Sequence, residues 1–277
     1  MNWSRLQLES QNRIVRSLGL QQIEARIEVR ALLRRILNVS NAWLIAHANE
    51  TVDPEKVSEF EILLERRLKG EPVAYILGCR EFYGMEFRVS EDVLIPRPET
   101  ELLVDLAIER LPEKGRALDL GTGSGIIAVS VARIRKDSFV TAVDRSGKAL
   151  EIAKLNGREL ENIRFVESDW FDELEGEKYD LILSNPPYIA EGDRHLEDLK
   201  CEPLLALTAG CDGLDAIRKI VEGAPAHLEP GGWLFFEHGC DQGKVCREML
   251  ARSFGDVNSW KDLSGMERVS GGRLTSG

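Results

Sequence analysis

Apolar positions change their period along the chain. Through about the first seventy residues they recur at helical spacing: Ile23, Ile27, Ala31, Ile36 and Leu37 fall near one helix face, with Arg26, Arg30 and Arg34 on another. Asp53-Pro54-Glu55 has the order of a helix start, a capping carboxylate, a proline at the first helical position and an acidic first turn. The helix it opens carries Val57, Phe60, Leu63, Leu64 and Leu68 and ends near Gly70. Between about residues 71 and 97 the spacing shortens. Phe82, Phe87 and Val89 bracket Tyr83-Gly84-Met85, which predicts a short β-hairpin. Two prolines then stiffen the loop Leu94-Ile95-Pro96-Arg97-Pro98-Glu99-Thr100 ahead of a helix over Leu102 to Arg110.

From Arg116 onward, apolar strand-like runs alternate with amphipathic ones. The strands expected are Ala117–Leu120, Phe139–Val143, Ile163–Val166, Tyr179–Ser184 and Trp233–Phe236. Between them lie helices such as Ile126–Ile134, Lys148–Asn156 and Leu214–Ala226. Such alternation predicts an α/β fold with a doubly wound, mostly parallel sheet. The tail, Val257 to Arg273, has strand-like pieces broken by Gly265 and Gly271-Gly272, and is expected to add an antiparallel edge.

Charge and cysteine usage narrow the class. The formal net charge of −11 argues against a general phosphate-tracking surface and points instead to a protein partner with basic surface. Met1 to Leu20 lack a hydrophobic signal core, and no stretch approaches the roughly twenty apolar residues of a membrane span, so a cytoplasmic protein is expected. The five cysteines include no Cys-x-x-Cys and the four histidines are scattered, so reduced thiols and no metal site are expected.

The glycine-rich loop Gly121-Thr122-Gly123-Ser124-Gly125 follows a buried-type strand and opens a helix, the setting of a nucleotide loop. Asp144 ends the next strand about twenty residues on, where a carboxylate accepts from both ribose hydroxyls. One strand later, Asp169 offers a carboxylate to an adenine amino group and Trp170 a ring to cover the base. A nicotinamide fingerprint fits poorly: if Gly121 is its first glycine, Ile126 occupies the third glycine position. Asp119, just before the glycines, is placed to meet the ammonium group of a methyl donor. A plain strand–turn–helix is the competing reading of the loop.

Asn185-Pro186-Pro187-Tyr188 follows the apolar strand Tyr179–Ser184, where ligands sit in open α/β sheets. The prolines cannot extend the strand and leave a stiff loop. There the Asn185 side-chain oxygen and the Pro186 carbonyl can accept both protons of a planar –NH2 group, with Tyr188 stacked on it. Two fixed acceptors orient a poor amide nucleophile and raise its electron density as it is attacked. Together the two motifs point to methyl transfer from S-adenosylmethionine to an amide or exocyclic amine. A Pro-Pro turn ending a strand is the plain alternative.

These motifs, with Ala25-Arg26-Ile27-Glu28, Tyr75-Ile76-Leu77-Gly78, Glu81 to Phe87, Ile95 to Thr100, Glu202-Pro203 and Asp212-Gly213-Leu214, make the chain resemble the HemK family of release factor glutamine N5-methyltransferases over nearly its whole length. The resemblance implies a helical partner-recognition domain over residues 1–75, a hairpin and linker over 76–100, and a class I S-adenosylmethionine-dependent methyltransferase domain over 101–277. It implies Gly121 to Gly125, Asp144, Trp170 and Asn185 as cofactor residues, to which the strand pattern adds Asp169, and Asn185, Pro186, Pro187 and Tyr188 as substrate residues. Asn185, Pro186 and Tyr188 are then the catalytic set, and the acceptor is the glutamine of the Gly-Gly-Gln loop of class 1 release factors. Arg97 to Thr100 are expected to line the cofactor pocket, while Glu237 is either a site residue or a cap. The ribosomal-protein glutamine methyltransferases share the Asn-Pro-Pro-Tyr run, but Pro98-Glu99-Thr100 resembles the release factor branch. A nucleic-acid amino-methyltransferase and a docking adaptor are the remaining alternatives. Asp262 to Arg268 depart from the family, which usually has an Asp-Arg pair after the glycine. No feature demands more than a monomer.

Overall fold

The computed structural model describes residues 1–275. Two compact units divide the chain, one over Met1–Cys79 and one from Arg80 onward.

The first unit holds α1 (Trp3–Leu18), α2 (Gln22–Leu37), α3 (Asn41–Ala46), α4 (Pro54–Leu68) and α5 (Val73–Leu77). Its helix ends follow local chemistry. The Asn2 side chain accepts from the Arg5 N–H to start α1, and Gly19 closes that helix in the left-handed region at φ 69°. Asp53 caps α4 by accepting from the Glu55 N–H, with Pro54 at the first helical position. The buried stripe of α2 differs from the one expected. Ala25, Val29, Leu32 and Leu33 are buried, whereas Ile23 and Ile27 are 55% and 62% exposed. Small Ala25 and Val29 suit close packing against neighbouring helices.

At the start of the second unit, β1 (Cys79–Phe82), whose first residue closes the first unit, and β2 (Met85–Arg88) form a hairpin. Its turn residues Tyr83 and Gly84 both have positive φ, 52° and 68°, the twist a two-residue hairpin favours. Asn156 fastens this hairpin from behind: its Oδ1 accepts from the Arg88 N–H at 2.8 Å, and its Nδ2 donates to the Arg88 carbonyl at 3.1 Å. The same Nδ2 donates to the Ser124 carbonyl at 2.8 Å, so one buried amide joins the hairpin to the glycine loop.

A 3-10 turn at Pro98–Thr100 leads into α6 (Glu101–Arg110). Then follow β3 (Arg116–Leu120), α7 (Ile126–Ile134), β4 (Phe139–Asp144), α8 (Gly147–Gly157), β5 (Ile163–Glu167) and β6 (Tyr179–Ser184). The remaining elements are α9 (Asp215–His227), β7 (Leu228–Glu237), α10 (Gly243–Leu250), β8 (Phe254–Lys261) and β9 (Glu267–Leu274). The strand order is β5-β4-β3-β6-β7-β9-β8, with β9 antiparallel to both β7 and β8. Apolar cores cover both faces: one includes Ala128, Val131 and Leu183, the other Leu118, Ile217 and Phe236. That is why strands such as β6 read as unbroken apolar runs.

Gly271-Gly272 lie inside β9 instead of interrupting it. A Cβ at Gly271 would come within 2.2 Å of a Phe235 ring carbon, so the glycine makes room for an aromatic ring laid across the strand. The expected strand over Trp233–Phe236 begins earlier, at Leu228, and α10 was not anticipated from its eight residues.

Candidate active site

Winding reverses between β3 and β6, since β4 and β5 lie to one side of β3 and β6 and β7 to the other. Ligands in open α/β sheets sit at such a point, beyond the strand ends. Leu120 and Ser184 are register partners there, and the Ser184 hydroxyl donates to the Leu120 carbonyl at 2.7 Å. The glycine loop and the Asn-Pro-Pro-Tyr run thus leave the sheet from one rung.

Gly121, Gly123 and Gly125 take φ of 69°, 56° and 82°, which side-chain-bearing residues avoid. At Gly125 a Cβ would also lie 3.1 Å from that of Ala153, so this glycine lets α7 pack on α8. Below the loop, Asp119 is fully buried. Its Oδ2 accepts from the Thr122 hydroxyl at 2.6 Å and the Ala128 N–H at 3.2 Å. Its Oδ1 has no partner among the described residues. Burial pushes the carboxyl up to about 7.

Asp144 closes β4 and is tied to the loop, its Oδ2 accepting from the Gly123 N–H at 2.8 Å and its Oδ1 from the Ser146 N–H at 2.9 Å. Burial raises this carboxyl, and the two backbone donors pull it back. Trp170 adopts the left-handed region at φ 54°, uncommon for a large residue, and its ring stands 3.8 Å from where a Gly121 Cβ would be.

A cavity of about 290 Å³ opens in front of these groups. Of the residues singled out from sequence, Gly121, Gly123, Ser124, Asp144, Asp169, Trp170, Asn185, Pro187 and Arg97 line it. Asp119, Thr122, Gly125, Pro186 and Tyr188 stand outside the lining, as do Pro98, Glu99 and Thr100, so the expectation for 97–100 holds only at Arg97. The loop carrying Arg97 is anchored by buried Glu202, which accepts from the Ile95 N–H at 2.9 Å and pairs with the Arg97 guanidinium. Sequence singled out Glu202 only as part of the resemblance; its pairing with Arg97 across more than a hundred residues left no local signal.

Asn185 lies at the cavity edge. Its Nδ2 donates to the Thr100 hydroxyl oxygen at 3.1 Å. Thr100 in turn donates to Glu237 Oε2 at 2.7 Å, and Glu237 Oε1 accepts from the Tyr188 hydroxyl at 3.2 Å. Thr100 and Glu237 are 0% and 1% exposed. Burial pushes the Glu237 carboxyl up to about 7 and the Tyr188 phenol above its usual range. Glu237 thus joins Thr100, Asn185 and Tyr188 in one hydrogen-bonded chain. A charged residue at the end of the apolar run Trp233–Phe236 was the signal for it.

The cradle fits a nucleoside donor with an ammonium group: backbone held close by glycines, a carboxylate at a strand end, a flanking indole and an unmet carboxylate oxygen beneath.

Residues 98–200 match the family described as Methyltransferase small domain, and residues 15–78 match the PrmC N-terminal domain. A methyltransferase from Pyrococcus furiosus superposes with a TM-score of 0.54 at 20% identity, covering 76% of this chain and 97% of that one. The 16S rRNA N2 G1207 methyltransferase of T. thermophilus, solved with AdoMet and guanosine, gives 0.52 at 22% identity over 71% of this chain and 49% of that one. These two share the class I methyltransferase fold. Among curated relatives, the release factor glutamine methyltransferase of Escherichia coli is 40% identical over 92% of this chain and 96% of its own length. That of Neisseria gonorrhoeae is 48% identical, again over 92% of this chain and 96% of its own length. A chain so alike from end to end, with the glycine loop and the Asn-Pro-Pro-Tyr run on one rung of the sheet, belongs to the release factor glutamine methyltransferase family.

Proposed function

We propose that this chain transfers a methyl group from S-adenosylmethionine to the side-chain amide nitrogen, N5, of the glutamine in the Gly-Gly-Gln loop of class 1 release factors. The observation that carries this reading is the state of Asn185: with Nδ2 committed to Thr100, its Oδ1 is left to accept from an incoming amide.

Bound in the cradle, S-adenosylmethionine supplies an electrophilic methyl on a positively charged sulfur. Around it, Gly121 and Gly123 let the backbone approach, Asp144 accepts from ribose hydroxyls, and Asp169 and Trp170 hold the adenine. The free Oδ1 of Asp119 is offered to the ammonium group. On the acceptor side, Asn185 Oδ1 and the Pro186 carbonyl take the two amide protons. Both are fixed before the glutamine arrives, so they favour the transition state, in which nitrogen gains positive character, over the ground state. Pro186 and Pro187 keep the carbonyl from turning away, and the Tyr188 ring, held through its hydroxyl on Glu237, walls the amide plane. No charged base is needed at the nitrogen: its proton, acidic once the new bond forms, would pass to solvent, and the donor would leave as the neutral thioether S-adenosylhomocysteine.

The first unit, residues 1–75 in the sequence reading, recognises the protein partner. Its exposed apolar side chains, Ile23, Ile27 and Ile62 among them, support this. A net charge of −11 favours a protein acceptor over nucleic acid. The enzyme acts as a monomer, in the cytoplasm where release factors work; among the described residues no helix is long and apolar enough to cross a membrane.

Labelled methyl from S-adenosylmethionine should reach a recombinant release factor, and Gln→Ala in its Gly-Gly-Gln loop should abolish transfer. Label persisting on that variant refutes the acceptor assignment. Label entering nuclease-sensitive material instead moves the acceptor to nucleic acid.

A further inference from the structure

Behind the Asn-Pro-Pro-Tyr run lies a buried carboxylate that none of the roles above uses for chemistry. We propose that Glu237 and Thr100 are positioning residues, holding both ends of the run so that Asn185 presents Oδ1, and not Nδ2, to the acceptor amide. The inference rests on the methyl-transfer reading of Asn185 and deepens it.

Glu237 ends β7, beside the end of β6, and each carboxylate oxygen takes one hydroxyl: Oε2 that of Thr100, Oε1 that of Tyr188. A threonine hydroxyl has one proton. With Glu237 ionised and that proton committed to it, Thr100 Oγ can only accept from the Asn185 group 3.1 Å away, which is then Nδ2. Rotating the Asn185 amide would set two oxygens face to face and leave Thr100 without its donor. The choice is thus made at Glu237, two hydrogen bonds from the cavity, and relayed through a residue that does not line it. Tyr188, at the other end, is tied to the same carboxylate. The charges facing Glu237 are those of Arg268, which favours its ionised form, and Glu99, which opposes it.

The stiff loop Pro96 to Thr100 gains a purpose here. Two prolines and the Glu202 anchor bring the Thr100 hydroxyl to a strand end eighty-five residues away in sequence.

The test uses full-length enzyme carrying Thr100→Val, which keeps the shape and removes the hydroxyl, and Thr100→Ser, which restores it. Thr100→Val should lower kcat about tenfold, the effect of one positioned hydrogen bond, with the S-adenosylmethionine Kd unchanged. Thr100→Ser should recover most of the loss. Glu237→Leu should fall as Thr100→Val does, and Glu237→Gln, which keeps an oxygen opposite Thr100, should stay within about threefold of wild type. A second readout needs no acceptor. With 15N-asparagine labelling, and assignment from Asn185→Ala, one Asn185 side-chain proton should be protected from exchange in wild type and Thr100→Ser but not in Thr100→Val. An unchanged Asn185 signal in Thr100→Val, or equal losses of kcat in Val and Ser variants, overturns the proposal. The protected signal in an enzyme inactive on release factors upholds the positioning role and refutes the acceptor assignment.

Discussion

Replacing Asp119 by asparagine separates the cofactor role proposed for this residue from its structural one. The introduced amide can keep the two existing bonds, its oxygen accepting from Thr122 and from the Ala128 N–H. Its nitrogen then takes the place of the oxygen that has no partner. The fold should therefore survive. In the wild type, burial raises this carboxyl from 3.8 to about 7, so the folded chain holds its proton more tightly than the unfolded chain does. Stability from this group is full below 3.8 and falls as pH rises through about 7. Between pH 6 and 8 the folded carboxyl goes from about one-tenth to about nine-tenths ionised while the unfolded one is ionised throughout, a loss of about 1.4 kcal/mol. Asp119→Asn lacks this term. Its Tm advantage over wild type should widen by about 3–6 °C from pH 6 to pH 8. Titration of Glu237 is common to both proteins and cancels. Against this gain, S-adenosylmethionine should bind about 10- to 100-fold more weakly, because a charge-assisted hydrogen bond is lost and a donor faces the ammonium. Thermal unfolding at the two pH values and titration calorimetry measure the two effects. Equal affinity in a folded variant would remove Asp119 from the cofactor site, and a gap independent of pH would show that no raised titration exists.

Asn185→Ala should abolish turnover with the fold and S-adenosylmethionine binding retained, as seen by circular dichroism and calorimetry; activity above about one-tenth of wild type counts against the amide-clamp role. Gly125→Ala places a Cβ 3.1 Å from Ala153 at φ 82°, so it should cost about 1–3 kcal/mol in denaturant unfolding. A neutral result would mean that the turn relaxes freely. Glu202→Ala strips the Ile95 N–H and Arg97 of their buried partner. Hydrogen exchange at Ile95 should speed up and the S-adenosylmethionine Kd should rise several-fold, since residues 93, 94, 96 and 97 line the cavity.

What was legible in the chain was whatever is written in neighbouring residues. Ile126–Ile134 and Tyr179–Ser184 were placed to the residue, because a buried helix and a buried central strand have abrupt apolar edges. The cradle and the Asn-Pro-Pro-Tyr run were readable because glycines and prolines constrain the backbone wherever they stand. Two kinds of feature were not readable. One is the choice between apolar faces, as in α2, where close helix packing buried Ala25 and exposed Ile27. The other is partnership across the fold. Thr100, Tyr188 and Glu237 meet only because β7 lies beside β6 and the proline loop ends above both, and no spacing along the chain encodes that meeting.

The shared rung at Leu120 and Ser184 has a consequence for how such enzymes diversify. Ladder bonds between two neighbouring central strands fix the interval between the glycine loop and the Asn-Pro-Pro-Tyr run at about one strand separation, near 4.8 Å where both leave the sheet. Segments grafted after residue 188 or beyond residue 237 can then be exchanged to welcome new recipients, and the reach of the reaction stays as it was. Novelty in what is modified need not disturb that interval.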